Sequence, residues 1–203
     1  MEQTSRDPYR RSRIAECAIN IVGTDGMRAL THRAVDDRLG LPAGSTSYYY
    51  RTRRSLLEAM VGHLTEKSRQ DFRSTRRAAL PDLDRTSVVI GRSLDHLLAR
   101  RRADIAARYA LAIEVADDPD LRAALASCFF SRDHATELFR QLHAADPYAA
   151  AADLVSLCEG LVFDRFAGAR SLDKFVAGTS ASVAQLTAAV STFLRGVGTA
   201  PKS

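Results

Sequence analysis

Apolar residues recur at helical spacing along nearly the whole chain, and a two-residue alternation persists nowhere. In the first such segment, Pro8 to Thr24, Ile14, Cys17, Ala18, Ile21 and Val22 stand at i, i+3, i+4, i+7 and i+8. That spacing is one buried face of a helix. The same pattern continues, broken only by Gly, Pro and Asp-Pro, so the chain is expected to be all-α. Abundant Ala and Leu favour helix over strand.

Gly23 and Gly26 are expected to end the first helix. A second, short helix starts at Thr31, a good N-cap, with Leu30 and Val35 placed to form a hydrophobic staple. Ala34, Val35 and Leu39 give it an inner face, and Gly40 stops it. Pro is well tolerated in a first helical turn, so a third helix is expected from about Pro42 to Tyr49. Thr52 caps a long helix running to about Leu80, with Leu56, Leu57, Met60, Leu64 and Phe72 inward and Pro81 as its stop. Its charges are mainly basic, among them Arg69, Arg73, Arg76 and Arg77. Further helices are expected over Asp84–Arg101, Ala103–Ala116, Asp118 to about Ala144, Pro147–Ala169 and Ser180–Gly196. Two Asp-Pro pairs, at 118–119 and 146–147, signal helix starts.

The charge is unevenly spread. Residues 1–80 carry 15 Lys and Arg against 9 Asp and Glu, whereas residues 81–203 carry 14 against 15. Positive charge confined to one part is the footprint of a polyanion binder, and equally of a solvated basic surface. Cys17, Cys128 and Cys158 are odd in number and widely spaced, which fits neither a disulfide framework nor a zinc site. They are expected to be buried small hydrophobes. No run approaches the roughly 18 apolar residues of a membrane span, and MEQTSRDPYRRSR lacks the apolar core of a secretory signal. No membrane partner and a cytoplasmic location are therefore expected.

Two short helices around a Gly-containing turn, Thr31–Leu39 and Pro42–Tyr49, have the form of a helix-turn-helix. The stretch GLPAGSTSYYYRTRR, Gly40 to Arg54, covers the turn and second helix. From Ile14 to Leu57 the sequence resembles the DNA-binding domain of the tetracycline-repressor (TetR) family. The resemblance rests on the Gly after the first helix, Leu30-Thr31, Leu39-Gly40-Leu41, Gly44-Ser45, the Tyr48–Tyr50 cluster and Leu56-Leu57-Glu58-Ala59. Departures are Pro42 where a capping Ser is common, Ser47 where a Tyr is common, and Thr52-Arg53-Arg54 in place of Ser-Lys-Glu. The resemblance implies an N-terminal three-helix DNA-binding domain, residues 1–50. A larger helical ligand-binding and dimerisation domain, residues 51–203, would follow, entered by a connecting helix over about 52–80.

In a helix-turn-helix the second helix enters the major groove with its N-terminal residues at base edges. Thr31 can cap its helix and donate to a phosphate, and Arg33 is long enough to reach phosphate or base. Ala43 and Thr46 offer methyls to thymine, and Ser45 and Thr46 offer hydroxyls. Gly44 allows close backbone approach. Tyr48 and Tyr49 suit sugars and phosphates, and Arg53 takes a phosphate-clamp position. Arg10, Arg11 and Arg13 form an N-terminal arm that can reach a minor groove. The recognition helix has no Arg, Lys, Asn or Gln, so Arg33 is the best candidate for guanine readout.

The resemblance further implies a homodimer through helices 147–169 and 180–196. Both carry apolar stripes mixed with small residues: Ala152, Ser156 and Gly160, then Ala184, Thr187 and Ala188. Leu154 and Leu161 fit burial within one copy as well. An inducer pocket is implied among residues 84–168. Candidate lining residues are His96, Tyr109, Ile113, Glu114, Phe129, Phe130, His134, Cys158, Glu159 and Phe163. The aromatics among them fit a core equally. A carboxylate amid apolar residues is costly unless paired, so Glu114 and Glu159 suggest a cationic or polyhydroxylated inducer. No metal or other cofactor is expected. The function implied is a sequence-specific DNA-binding transcriptional regulator, a repressor of a palindromic operator released by a small molecule. A small helical enzyme or carrier is the alternative. It would need a catalytic constellation, and G-x-S-x-G, C-x-x-C, H-E-x-x-H and Gly-rich phosphate loops are all missing from the sequence. A helical protein adaptor is a second alternative, which a gel shift with DNA would separate.

Overall fold

The computed structural model of the chain describes residues 7–76 and 82–198. The end of the long helix near Leu80, Pro81 and Arg77 lie outside the described residues, as do the side chains of Phe72, Arg73 and Arg76. Among the described residues the chain is helical, with no strand. The helices are α1 (Asp7–Asp25), α2 (His32–Leu39), α3 (Ser45–Tyr49), α4 (Arg53–Arg76), α5 (Leu83–Arg100), α6 (Arg102–Glu114), α7 (Pro119–Ala126), α8 (Arg132–Gln141), α9 (Pro147–Phe166) and α10 (Ser180–Gly198).

Side chains expected to start helices do so. Thr31 accepts from the Ala34 amide, Asp118 from Leu121, and Asp146 from both Tyr148 and Ala149. Thr52 and Ser55 cap reciprocally, each amide donating to the other's hydroxyl. Several boundaries differ from expectation, among them α9, which ends at Phe166 rather than Ala169, and three others. Gly23 does not end α1, which runs on to Asp25. A Cβ there would sit 2.8 Å from Ala103 Cα, so Gly23 is the point where α1 meets the start of α6. The segment expected as one helix from Asp118 to Ala144 is two, because Ser131 caps a new helix by accepting from the His134 amide. Finally, α3 starts at Ser45 rather than Pro42.

The chain forms two compact units. The first holds the described residues up to Arg69 together with Ala103–Phe129; the second holds Gln70–Arg102 and the described residues from Phe130 onward. In the first, Ile14, Ile21, Leu30, Val35, Leu56, Met60, Leu64 and Leu111 form one buried core. Each such side chain contributes about 1.5–3 kcal/mol through burial. Cys17 and Cys128 are buried in that core, and all three cysteines are buried thiols outside any disulfide.

In the second unit α5 packs against α10, and α9 packs against α5, α8 and α10. Leu94, Leu97 and Leu98 face inward from α5, and Leu186, Val190 and Leu194 from α10. Gly91 gives α5 its close crossing of α10, at Thr187. Thr187 is thus turned toward its own copy, unlike Ser156, Gly160, Ala184 and Ala188, which are exposed. The buried Arg165 of α9 ties down the segment before α10 through Phe175 O and the start of α10 through Ser182 Oγ and Gln185 Oε1, donating to all three.

Candidate nucleic-acid interface and ligand cavity

In the first unit α2 and α3 pack together across the turn 40–44. Gly40 closes α2 in the left-handed region. Gly44 is also left-handed, with φ of 86°, a conformation strained for any residue with a Cβ. No side chain of its own caps α3. The cap comes from Asp36 on α2. Its Oδ2 accepts from the Gly44 amide at 2.8 Å, and its Oδ1 accepts from the Thr46 amide at 2.8 Å and the Thr46 hydroxyl at 2.6 Å. Asp36 is 1% exposed and Thr46 0%.

Burial pushes the Asp36 carboxyl up. The hydrogen bonds from the Thr46 hydroxyl, the Thr46 amide and the Gly44 amide, with the charge of His32, outweigh that and hold it below its ordinary 3.8. A carboxyl lowered on folding stabilises the native state fully above the ordinary value. The contribution falls away as the pH drops through the lowered one. Chemical denaturation below pH 4 should therefore show a loss of stability in the wild type that is smaller in Asp36→Asn.

These contacts correct the reading of Thr46: its methyl and hydroxyl face inward, so it presents nothing to DNA. Thr31, Arg33, Ala43, Gly44, Ser47 and Tyr48 are exposed, and Ser45 is half-exposed with its hydroxyl donating to Pro42 O at 2.6 Å. Tyr48 is 79% exposed. It meets Tyr49 edge-on at 5.1 Å. Arg33 pairs with Asp37 at 3.7 Å between two well-exposed side chains, a contact of about 0–1 kcal/mol that a phosphate can displace. Arg10, Arg11 and Arg13 lie within α1 rather than on an extended arm. The Arg11 guanidinium sits 5.6 Å from the Tyr49 ring centroid and 5.5 Å from that of Tyr50, so it buttresses the aromatic cluster from behind.

Arg53 is already engaged. Its Nε and Nη2 donate to Glu114 Oε1 at 3.1 and 3.0 Å, and its Nη1 to Leu30 O at 3.1 Å. Arg54 pairs with Asp118 and Glu58 at 2.8 and 2.7 Å. The hydrogen bond from Arg54 holds the Asp118 carboxyl below its ordinary range. Glu114 is therefore a partner of Arg53 and not a pocket carboxylate.

The second unit holds a cavity of about 510 Å³, within the usual range for ligand pockets. Its apolar walls are Val89, Ile90 and Leu94 of α5, Leu138 of α8, Leu154 and Val155 of α9, and Phe130. Polar groups are Thr86, Ser93, Ser131, His134, Glu137, Gln141 and Cys158. Burial, then the Glu159 charge, pushes the Cys158 thiol up to about 12, so it stays protonated and unreactive there. Of the expected lining residues, Phe130, His134 and Cys158 face the cavity. Tyr109, Ile113, Glu114 and Phe129 belong to the first unit. His96 is exposed on α5, and Glu159 and Phe163 fall outside the lining. On α9 the cavity takes Leu154, Val155 and Cys158 and stops short of residues 159 and 163. The cavity's carboxylate is Glu137, held by Gln141 Nε2 at 3.1 Å and Arg140 at 3.6 Å. Among the described residues no Lys or Arg lines it, and Arg140 approaches only through Glu137.

A family model for the tetracyclin repressor-like C-terminal domain matches residues 81–200. The chain is 26% identical over 90 residues to the HTH-type transcriptional regulator BetI of Rhizobium meliloti (strain 1021), covering 44% of each chain. It thus spans about half the length of the curated relatives it matches. Among solved structures it resembles a transcriptional regulator from Rhodococcus sp. Rha1, with TM-score 0.74, 18% identity and coverage of 94% of this chain and 99% of that one. It also resembles the multidrug binding protein EbrR complexed with ethidium, with TM-score 0.63, 25% identity and coverage of 89% and 98%.

Proposed function

Because the chain belongs to the tetracycline-repressor family of transcriptional regulators, we propose that it is a homodimeric repressor that binds a palindromic operator and releases it when a small molecule fills the cavity. The observation that carries this reading is the helix-turn-helix whose recognition helix is clamped from behind while Ala43, Ser47 and Tyr48 face outward. DNA binding falls to residues 1–50, and ligand binding and dimerisation to 51–203. The exposed small residues of α9 and α10 suit close approach of a second copy, which would set two recognition helices one DNA turn apart. Ligand binding would favour a conformation with the wrong half-site spacing.

The recognition surface offers methyl, hydroxyl and phenol groups, which suit thymine methyls, DNA shape and phosphates more than a guanine code. Arg33, exposed on α2, adds a long cation. For the cavity, the largely apolar wall favours a lipophilic ligand. EbrR, a multidrug binding protein solved with ethidium, supplies the probe.

Duplexes recovered by the purified protein from a random-sequence pool should converge on a palindrome, with affinity falling steeply as salt rises. Recovery of no shared sequence would remove the proposal. Tyr48→Ala should weaken operator binding about tenfold per half-site, the worth of one phosphate hydrogen bond of about 1.4 kcal/mol. The loss should appear on random-sequence DNA too, as fluorescence anisotropy would show.

A further inference from the structure

We propose that Asp36 is the residue that positions the recognition helix for sequence reading, acting as its N-cap from the neighbouring helix; this rests on the DNA-binding function above. With only five residues, α3 is too short to hold its own pose through intrahelical bonds. Its first residue follows a left-handed glycine that supplies no capping side chain. The free amides at its N-terminus would otherwise need partners. One carboxylate, fixed on α2 and shielded from water, takes the Gly44 amide on one oxygen and both Thr46 groups on the other. Two points of attachment set both the rotation of α3 about its axis and its distance from α2.

The same three bonds decide which residues read DNA. Rotating Thr46 inward turns Ser45, Ser47 and Tyr48 to the remaining faces of a one-turn helix, since each residue advances about 100°. The carboxylate also occupies the N-terminal amides of α3, so a phosphate is not expected there. Non-specific binding then depends chiefly on groups such as Thr31 and Arg33, which lie off the helix that Asp36 holds. Asp36 should therefore govern discrimination between sequences and leave the electrostatic part of binding unchanged.

The test uses the full-length protein and two duplexes: the sequence selected from a random pool by the wild type, and a scrambled version. Asp36→Ala should lower the preference for the selected duplex by roughly tenfold to a hundredfold, with scrambled-duplex affinity falling by no more than the roughly tenfold that Tyr48 supplies and its salt slope unchanged. Asp36→Asn keeps an acceptor oxygen for Thr46 but loses the charge, and should fall between. Thr46→Ser should keep wild-type preference, and the isosteric Thr46→Val should lose part of it. Undiminished preference in both Asp36 variants would overturn the proposal. So would parallel loss of both duplexes with the helical circular dichroism signal in both variants, which would make Asp36 structural only. A wild type with no preference would instead remove the DNA-binding function itself.

Discussion

Gly91→Ala should lower the melting temperature by roughly 5–10 °C, reversing the usual effect of replacing a helical glycine by alanine. In an open helix that change gains about 1 kcal/mol, because glycine has more backbone entropy to lose. At Gly91 a new Cβ would stand 2.8 Å from Thr187 N and 2.9 Å from Thr187 Cα. Those are backbone atoms of α10 and cannot swing aside as a flexible side chain would. The helices would have to separate along a seam that buries Leu94, Leu97, Leu98, Leu186, Val190 and Leu194. Overpacking of this kind costs about 1–3 kcal/mol, sometimes more. In a chain of this size each kcal/mol moves the midpoint by about 2–4 °C. Gly62→Ala on α4 is the internal control: a Cβ there meets nothing within 4 Å, so that variant should gain about 1 kcal/mol. If thermal denaturation showed both variants stabilised alike, the α5–α10 crossing would be looser than described.

Ser93→Phe should abolish ligand response while sparing DNA binding. Ser93 lines the cavity, and its hydroxyl donates back to Val89 O of its own helix at 3.0 Å. Its replacement therefore strands no partner on a neighbouring helix. A phenyl ring from this position enters the space between Val89, Leu94, Leu138 and Leu154. Filling a pre-formed pocket removes the volume a ligand needs, so ethidium affinity should fall at least about tenfold, or by more than 1.4 kcal/mol. Operator affinity should stay at the wild-type level, because the reading surface lies on α2 and α3. Ethidium binding to the protein alone can be followed by its fluorescence. Unchanged affinity would place the ligand elsewhere. Lost operator binding in the same variant would show that the substitution disturbs more than the cavity.

The helices were legible because their apolar spacing and caps agree. Thr31, Asp118 and Asp146 each announce a start in the sequence and each side chain makes the expected bond. The break between α7 and α8 was not legible, for a physical reason. Cys128 and Phe129 within it are 0% and 2% exposed, so apolar periodicity runs straight through a non-helical segment that lacks Gly and Pro. The recognition surface was read in outline: Ala43, Ser45 and Tyr48 face outward or partly so. Thr46 was misplaced because its direction depends on Asp36, ten residues earlier, and a carboxylate beside Val35 looks like an ordinary surface charge. A buried acid opposite a Gly-x-Thr helix start is the signal that would have found it.

The cavity was least legible. Lining depends on helix register to within one residue, which separates Cys158 from Glu159, and on which unit a helix joins. Tyr109, Ile113 and Glu114 carry suitable chemistry but sit in the first unit. The carboxylate reasoning does not pass to Glu137, whose side chain is exposed and paired with Arg140 and Gln141.

The most direct measurement is fluorescence anisotropy of the full-length wild type on the selected duplex and on its scrambled version, across a range of salt. A sequence-specific regulator should prefer the selected duplex by about a thousandfold or more at physiological salt. Affinity for both should fall linearly on a log-log salt plot. Equal affinity for the two duplexes, or no binding to either, would contradict the function proposed for this protein.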